Sequence, residues 1–175
     1  MLIRIALALL AAIVVLLGFA MSKPDNFKVE RSMRIAAPPE KIYPLISDLK
    51  GFNTWNPWEK KDPGKGQYSA GPTAGPGASY AWDSDKLGAG RMTIVEAVPS
   101  SMVAMRLDFL KPITATNSAA FALAPDGDAT RVTWSMSGKN NLLSKVMQVF
   151  VSMDSMVGDD FVSGLANLKS LAEAK

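Results

Sequence analysis

Few side chains in this sequence could carry out acid–base or nucleophilic chemistry. The chain contains no histidine and no cysteine. Their absence excludes Ser-His-Asp triads, cysteine nucleophiles, disulfides, and metal sites built from imidazole or thiolate ligands. Any acid–base group must be Asp, Glu, Tyr, Lys or Arg, and the sequence assigns no catalytic residue, no metal ligand and no cofactor.

One carboxylate, Glu96, continues an alternating apolar series after Met92 and Ile94. If it is buried there, it could act as an acid or anchor a ligand hydroxyl. The favoured alternative is that the strand bulges or ends near Pro99, which would turn Glu96 to solvent. Arg31 interrupts a similar series in an earlier segment, and we expect it at the exposed start of that strand rather than in a buried pair with Glu96.

Aromatic and methionine side chains are the stronger candidates for contact with a ligand. Trp55 and Trp58 could line or cap a cavity mouth, and methionine adapts to apolar ligands of loosely defined shape. The competing interpretation for each candidate is core packing, and a single bulge would move half of the set to the opposite face. The predicted ligand-binding set is Trp55, Trp58, Tyr80, Trp82, Met92, Ile94, Met105, Leu107, Phe109, Phe121, Trp134, Met136, Met153 and Phe161.

The elements that would position these side chains follow from hydrophobic spacing. Residues 27–36 alternate as a strand, and Pro38 and Pro39 then start a helix, because proline is tolerated in the first helical turn. Residues 48–58 fit one or two short helical turns. The glycine- and proline-rich stretch 62–78 predicts an irregular rim with at most a short edge strand.

The spacing of apolar residues changes once in the second half of the sequence, from that of strands to that of a helix. From Ser79 onward, apolar residues recur at every second position between short polar turns, which predicts an antiparallel meander with one apolar face. Helical spacing in residues 157–171 predicts a long amphipathic C-terminal helix. The apolar segment 141–156 fits a movable lid, a surface that dips into a bilayer, or plain packing beneath the long helix.

The first 22 residues form a separate apolar segment. Ile5 to Met21 contain no charge and would span about 26 Å as a helix, slightly less than the hydrocarbon core of a bilayer. The favoured interpretation is an uncleaved signal anchor with Arg4 inside; a cleaved signal peptide and a wholly cytosolic protein are the alternatives. The predicted division is a membrane segment (1–22), a linker (23–26) and a folded domain (27–175).

The charge distribution gives no sign of a nucleic-acid partner. Arg4 is one of the 19 basic residues, so 18 basic and 16 acidic side chains remain beyond residue 22. These basic residues are scattered along the chain, whereas phosphate binding needs a concentrated basic face. We therefore expect no nucleic-acid partner.

Five segments in a fixed order resemble the START-like SRPBCC superfamily. They are AAPPEKIYPLISD, WNPW, GAGRMTIVEAVP, TRVTWSM and GDDFVSGLANLKSLAE. Within it, the sequence is most similar to bacterial proteins of the polyketide cyclase/dehydrase type with an N-terminal transmembrane segment. The resemblance implies an α+β helix-grip fold, in which a curved antiparallel sheet wraps a long C-terminal helix and encloses a cavity.

The resemblance also implies a range of functions, since the superfamily includes lipid carriers, cyclases, hormone receptors, quinone-binding proteins and co-chaperones. We expect a hydrophobic ligand, such as a lipid, quinone, isoprenoid or polyketide-like molecule. The protein is expected in the cytoplasmic membrane, single-pass through residues 5–21, with its domain on the extracytoplasmic side, or else secreted after cleavage. The alternatives are a cyclase, dehydratase or hydrolase of the same fold and a protein-interaction module with a collapsed cavity.

Overall fold

The structure is a computed structural model that describes residues 1–174. One helix precedes a strand, three short helices, six further strands and two C-terminal helices. The elements are α1 (Leu2–Met21), β1 (Asn26–Ile35), α2 (Pro39–Ser47), α3 (Leu49–Trp55), α4 (Pro57–Lys61), β2 (Gly66–Tyr68), β3 (Ser79–Ser84), β4 (Gly88–Val98), β5 (Met102–Lys111), β6 (Ala115–Asp126), β7 (Ala129–Lys139), α5 (Leu142–Phe150) and α6 (Met153–Glu173).

The seven strands form one antiparallel sheet in the order β1-β7-β6-β5-β4-β3-β2. Strands β2 to β7 are a meander, and the first strand, β1, pairs with the last, β7. The long helix α6 packs against β1 and β7 and against the three short helices. This arrangement is the α+β helix-grip fold, so the predicted fold class is confirmed.

Proline and asparagine fix where the short helices begin. Pro38 is the N-cap of α2 and Pro39 its first residue, as predicted from the sequence. Asn56 ends α3 and caps α4, because its side-chain oxygen accepts a hydrogen bond from the Trp58 N–H at 3.1 Å. The chain therefore changes direction between Trp55 and Trp58.

An aromatic cluster joins the sheet to α6 and α3. The Trp134 and Phe161 rings stack with centroids 4.2 Å apart, and the rings of Phe52 and Trp55 meet Trp134 edge-on. Gly164 allows this close approach, because a Cβ there would lie 2.7 Å from Trp134 Cζ3. The position of α6 over the sheet thus depends on residue 164 being a glycine.

The β4–β5 ladder contains the bulge that the sequence allowed for. Ile94 pairs with Met105 and Glu96 with Ala104, so Val95 has no partner residue and the alternation shifts by one. Glu96 is consequently exposed. This confirms the interpretation that Glu96 meets solvent and removes it from the candidates for a buried acid.

Helix α1 is long and apolar enough to cross a membrane, by its length and composition. Its 20 residues extend about 30 Å, the thickness of a bilayer hydrocarbon core. A signal sequence near the N-terminus has the same properties, so the helix could serve as an anchor or as a signal. Toward its C-terminal end, α1 packs against α5.

Candidate ligand-binding cavity

A cavity of about 630 Å³ lies between the apolar face of the sheet and the helices α4, α5 and α6. Its size falls within the range of roughly 300–1,000 Å³ that is typical of small-molecule sites. A second hollow of about 810 Å³ lies at the β1–β7–β6 ends, but it is open and lined mainly by polar residues such as Thr116 and Ser137. The first cavity is therefore the candidate site.

The wall of this cavity is mostly apolar. Alternate residues of β3 to β7 supply one side of it, and residues near the start of α6 supply the other. Twelve residues of the predicted ligand-binding set line it: Trp58, Tyr80, Trp82, Met92, Met105, Leu107, Phe109, Phe121, Trp134, Met136, Met153 and Phe161.

The other two predicted residues, Trp55 and Ile94, are not part of this lining. Trp55 is fully buried, and its indole N–H donates a 2.8 Å hydrogen bond to the Leu45 carbonyl. Ile94 is also fully buried in the packed core. Both side chains therefore belong to the core, which was the competing interpretation for each.

Polar side chains gather at the end of the cavity near α4 and β3. The Tyr80 hydroxyl donates a 2.6 Å hydrogen bond to Glu59 Oε2, and the Gly64 N–H donates to Glu59 Oε1 at 2.9 Å. Nearby, the Ser84 hydroxyl donates to Asp62 Oδ2 at 2.6 Å. All but Gly64 line the cavity, and so do Lys65 and Lys86, so a ligand would meet two carboxylates, two hydroxyls and two lysine side chains at this end.

The environment of Tyr80 favours its neutral form. Burial is the larger cause, and the hydrogen bond and negative charge of Glu59 add to it; together they raise the pKa of Tyr80 well above its usual value. A tyrosine is already protonated at physiological pH, and this raised pKa keeps Tyr80 protonated in alkaline solution as well. It acts as a hydrogen-bond donor toward Glu59, and its oxygen lone pairs remain able to accept from a ligand.

An ion pair closes the space between α4 and α6 beside this polar end. Lys61 Nζ lies 2.6 Å and 2.7 Å from the two carboxylate oxygens of Asp160, and both residues line the cavity. Among residues 1–174, no group of three or more Asp or Glu side chains is arranged to hold a metal ion.

Apart from Tyr80, the sequence analysis does not predict the polar residues of the cavity. Glu59 and Asp62 lie in or directly after the five-residue helix α4, which is too short for a periodic signal. Asn117 is buried in the wall on β6, where alternation placed it on the inward face although it is polar. Asn117, Ala119 and Phe121 occupy every second position of β6 and therefore share one face. This pattern is the one sequence signal for a buried Asn117.

Comparison with known protein families assigns the chain. The family described as "Polyketide cyclase / dehydrase and lipid transport" matches residues 26–173. The chain belongs to this family. None of the curated protein sequences compared with the chain matches it.

Several solved structures share the fold of this family member. The Aha1 dimer from Colwellia psychrerythraea is 17% identical, with 84% of this chain and 96% of that chain covered and a TM-score of 0.61. Protein CV1439 from Chromobacterium violaceum is 17% identical, with 87% and 100% covered and a TM-score of 0.60. DynU16, a protein in the dynemicin biosynthetic locus, is 19% identical, with 87% and 48% covered and a TM-score of 0.56. At such low identity these similarities show the fold alone.

Proposed function

We propose that the domain binds a hydrophobic small molecule with a polar head group and holds it at a membrane surface. The observation that supports this most strongly is the cavity of about 630 Å³, which has apolar walls and one polar end. The family description includes lipid transport. The proposed ligand classes are lipids, quinones, isoprenoids and polyketide-like molecules.

Burial of apolar ligand surface would drive binding. About 300 Å² removed from water would contribute roughly 7 kcal/mol at about 25 cal/mol per Å². The loss of translational and rotational freedom offsets a large part of this energy. Methionines at positions 92, 105, 136 and 153 line the cavity, and their flexible side chains can adapt to ligands of different shape.

The polar end would orient the ligand. The Tyr80 proton is directed to Glu59, so both the Tyr80 oxygen and the Glu59 carboxylate can accept a hydrogen bond from a ligand. These acceptors favour a head group that donates, such as a hydroxyl or a phenol, whereas the lysines that also line the cavity, Lys61, Lys65 and Lys86, disfavour a cationic amine. The apolar part of the same ligand would lie along β4 to β7, against the ring of Trp134 and the methionines.

The membrane location belongs to this proposal. Residues 1–22 would anchor the chain in the cytoplasmic membrane, with residues 23–26 as the linker and the domain from residue 27 onward on the extracytoplasmic side. A secreted form after cleavage within the first 22 residues is the alternative. Sequencing the N-terminus of the mature protein from its own cells distinguishes them, since only the anchored form keeps Leu2–Met21.

Catalysis is the second candidate function, and the contact between Glu59 and Tyr80 favours it. Glu59 could act as a base on a polyketide-like substrate, as in a cyclase or dehydratase, and Tyr80, whose raised pKa makes it a weak acid, would orient the substrate by hydrogen bonding. Both groups line the cavity, which argues against a purely structural role for their contact. Turnover of a bound ligand into a product of different mass would favour the enzyme over the carrier.

Binding of an apolar fluorescent probe tests the proposed function. The full chain in nanodiscs is titrated with a fluorescent fatty alcohol, and empty nanodiscs provide the background. We expect saturable uptake of one probe per chain, with displacement by unlabelled long-chain alcohols. Uptake no greater than that of empty nanodiscs would contradict a carrier function and favour an interaction module.

A further inference from the structure

Helix α5 is apolar, yet none of its residues is buried. Its outward face consists of Leu142, Leu143, Met147 and Phe150, and 74% of the Phe150 surface is exposed. This spacing places the four side chains on one side of the helix. An apolar helix face of this kind on a folded domain marks a contact with another apolar surface.

Hydrogen bonds hold α5 beside the end of α1. The Asn140 side chain donates to the Pro24 carbonyl at 2.9 Å, and the Asn140 N–H donates to the Asp25 carbonyl at 2.8 Å. Lys145, within α5, forms an ion pair with the Asp25 carboxylate. The linker after α1 is therefore bound by Asn140, directly after β7, and by Lys145, within α5. These contacts fix the position of α5 next to the end of α1.

The other side of α5 forms part of the cavity wall. Ser144, Gln148 and Val151 line the cavity, and Gln148 is held by a 2.6 Å hydrogen bond to Asn140 Oδ1. Ser144 and Gln148 are four residues apart and define a second face of the helix, and Val151 follows directly after the helix end. One short helix thus separates the cavity from the surroundings of α1.

The cavity opens beside α5. The exposed apolar members of its lining lie beside α5, at the start of α6 and in the β5–β6 turn, namely Met147, Val151, Met156 and Pro112. The exposed lysines of the lining, Lys61, Lys65, Lys86 and Lys111, belong to α4, the β3–β4 side of the sheet and the end of β5. Leu110, the last residue but one of β5, is 60% exposed. The edge of the opening beside α5 is therefore formed by apolar side chains that continue the outward face of α5.

We propose that α5 lies on the bilayer surface and forms the entry through which the ligand passes between the membrane and the cavity. This inference rests on the binding function proposed above and on α1 as the membrane anchor. If α1 spans the bilayer, its last residue, Met21, reaches the head-group level, and α5 is held beside that point. Its outward face would then lie at the boundary between head groups and acyl chains.

The bilayer fits this face better than a protein partner does. The face continues the exposed surface of α1, which is itself the surface that would contact lipid. Within α5 the single charged residue is Lys145, and Asp25 already neutralises it. Membrane contact should therefore depend on apolar burial rather than on anionic lipids, and it should be insensitive to salt.

Site-directed spin labelling tests the position of α5. The chain has no cysteine, so Leu143→Cys and Phe150→Cys each introduce a single labelling site, and Ala124→Cys on the exposed face of β6 is the control. The labelled full chain is placed in phosphatidylcholine nanodiscs with one chain per disc. We expect the α5 labels to collide mainly with oxygen and the control label mainly with a water-soluble nickel complex, at low and high salt alike.

Two results would overturn the proposed position. Labels on α5 that are as accessible to the nickel complex as the Ala124 label would place the helix in water. Protection that appears only in discs containing two chains would assign the face to a second copy of the chain.

A second variant tests the entry role by kinetics. Leu143→Ser combined with Phe150→Ser changes two exposed side chains outside the cavity lining, so the fold and the equilibrium occupancy should be unchanged. We expect transfer of the fluorescent fatty alcohol from vesicles to slow by about tenfold or more, because loop and lid steps can limit the exchange of a bound ligand. An unchanged transfer rate would overturn the entry role.

The outcomes also separate this inference from the proposed function. Normal probe uptake with α5 labels in water would overturn the inference alone. A wild-type chain that takes up no probe from any source would overturn the binding function and, with it, the entry route.

Discussion

Tyr80 and Glu59 are joined by a 2.6 Å hydrogen bond between the sheet and helix α4. The bond lies at the polar end of a mostly apolar cavity, and burial together with Glu59 raises the pKa of the tyrosine. This contact makes one end of the cavity polar and so distinguishes it from the rest of the wall. It places the acceptors for a ligand head group at one end and leaves the apolar wall for the remainder of the molecule.

Removal of the Tyr80 hydroxyl should weaken binding of hydroxylated ligands only. Tyr80→Phe deletes an acceptor for the head group and leaves the apolar wall intact. We expect a loss of affinity of about tenfold for a long-chain alcohol, corresponding to about 1.4 kcal/mol, and no change for the matching alkane. Competition against the fluorescent probe measures both affinities.

Tyr68→Phe is the matched control for this prediction. Tyr68 accepts a 3.1 Å hydrogen bond from Asn53 and is 38% exposed outside the cavity. Its substitution should leave both affinities unchanged. Equal losses for the alcohol and the alkane in Tyr80→Phe would show that the hydroxyl does not orient the ligand.

A bulky side chain inside the cavity should prevent binding without unfolding the domain. Ala119 is a buried residue of the cavity wall on β6, and Ala119→Phe would place a ring in the empty space. Ala122 lies on the same strand with its side chain exposed, so Ala122→Phe is the control. We expect loss of probe uptake in the first variant alone, with cooperative unfolding retained in both. Normal uptake by Ala119→Phe would move the binding site elsewhere.

The ion pair between Arg31 and Asp154 should make stability depend on pH. Their side chains form two contacts of 2.8 Å and 2.9 Å that link β1 to the start of α6. The hydrogen bond to Arg31 is the largest cause that lowers the pKa of Asp154. A lowered folded-state pKa stabilises the protein above the unfolded-state value of about 4, and this contribution disappears as pH falls through the folded-state pKa.

Asp154→Asn tests this pH dependence. The variant should have a lower Tm than the wild type at neutral pH, and the difference should shrink below about pH 4 as Asp154 becomes protonated. Asp85→Asn, in the exposed turn between β3 and β4, is the control and should show no such trend. A Tm difference that persists unchanged in strong acid would show that the effect does not come from the charge of Asp154.

The close contact at Gly164 should make this helix position intolerant of a side chain. Alanine would raise helix propensity, but its Cβ would lie 2.7 Å from Trp134 Cζ3 and 3.1 Å from Pro57 Cδ. We expect Gly164→Ala to lower the free energy of unfolding by about 1–3 kcal/mol, since strain of this kind exceeds the gain in propensity. Chemical denaturation measures it. Ser163→Ala, at an exposed neighbouring position, should be close to neutral, and a Gly164→Ala variant as stable as this control would contradict the packing argument.

Alternating apolar residues made most of the cavity wall predictable. In an antiparallel meander every second side chain faces the same way, so the large apolar residues of β3 to β7 that line the cavity could be named from the sequence. The order of helices and strands, together with five matching segments, was sufficient for the fold. The sequence predicts that the strand bulges or ends near Pro99, and the structure has a bulge at Val95.

The polar contact between Glu59 and Tyr80 and the limit of the cavity near Ile94 could not be predicted in the same way. The contact between Glu59 and Tyr80 joins a short helix to a strand 21 residues later, and no local period records such a pairing. Trp55 and Trp58 differ for a local reason, because the Asn56 cap turns the chain between them and directs only Trp58 to the cavity. Ile94 keeps the inward alternation of Met92, but the cavity ends before it, and this limit is set by how the helices cover the sheet.

Native mass spectrometry of the full chain, extracted gently from its own membranes, tests the central claim most directly. The account predicts one co-purifying apolar molecule per chain, which organic extraction then identifies as a lipid, quinone, isoprenoid or polyketide-like compound. The Ala119→Phe variant should be isolated empty from the same membranes. A wild-type chain that is also empty, and that takes up no apolar probe afterwards, would contradict the account.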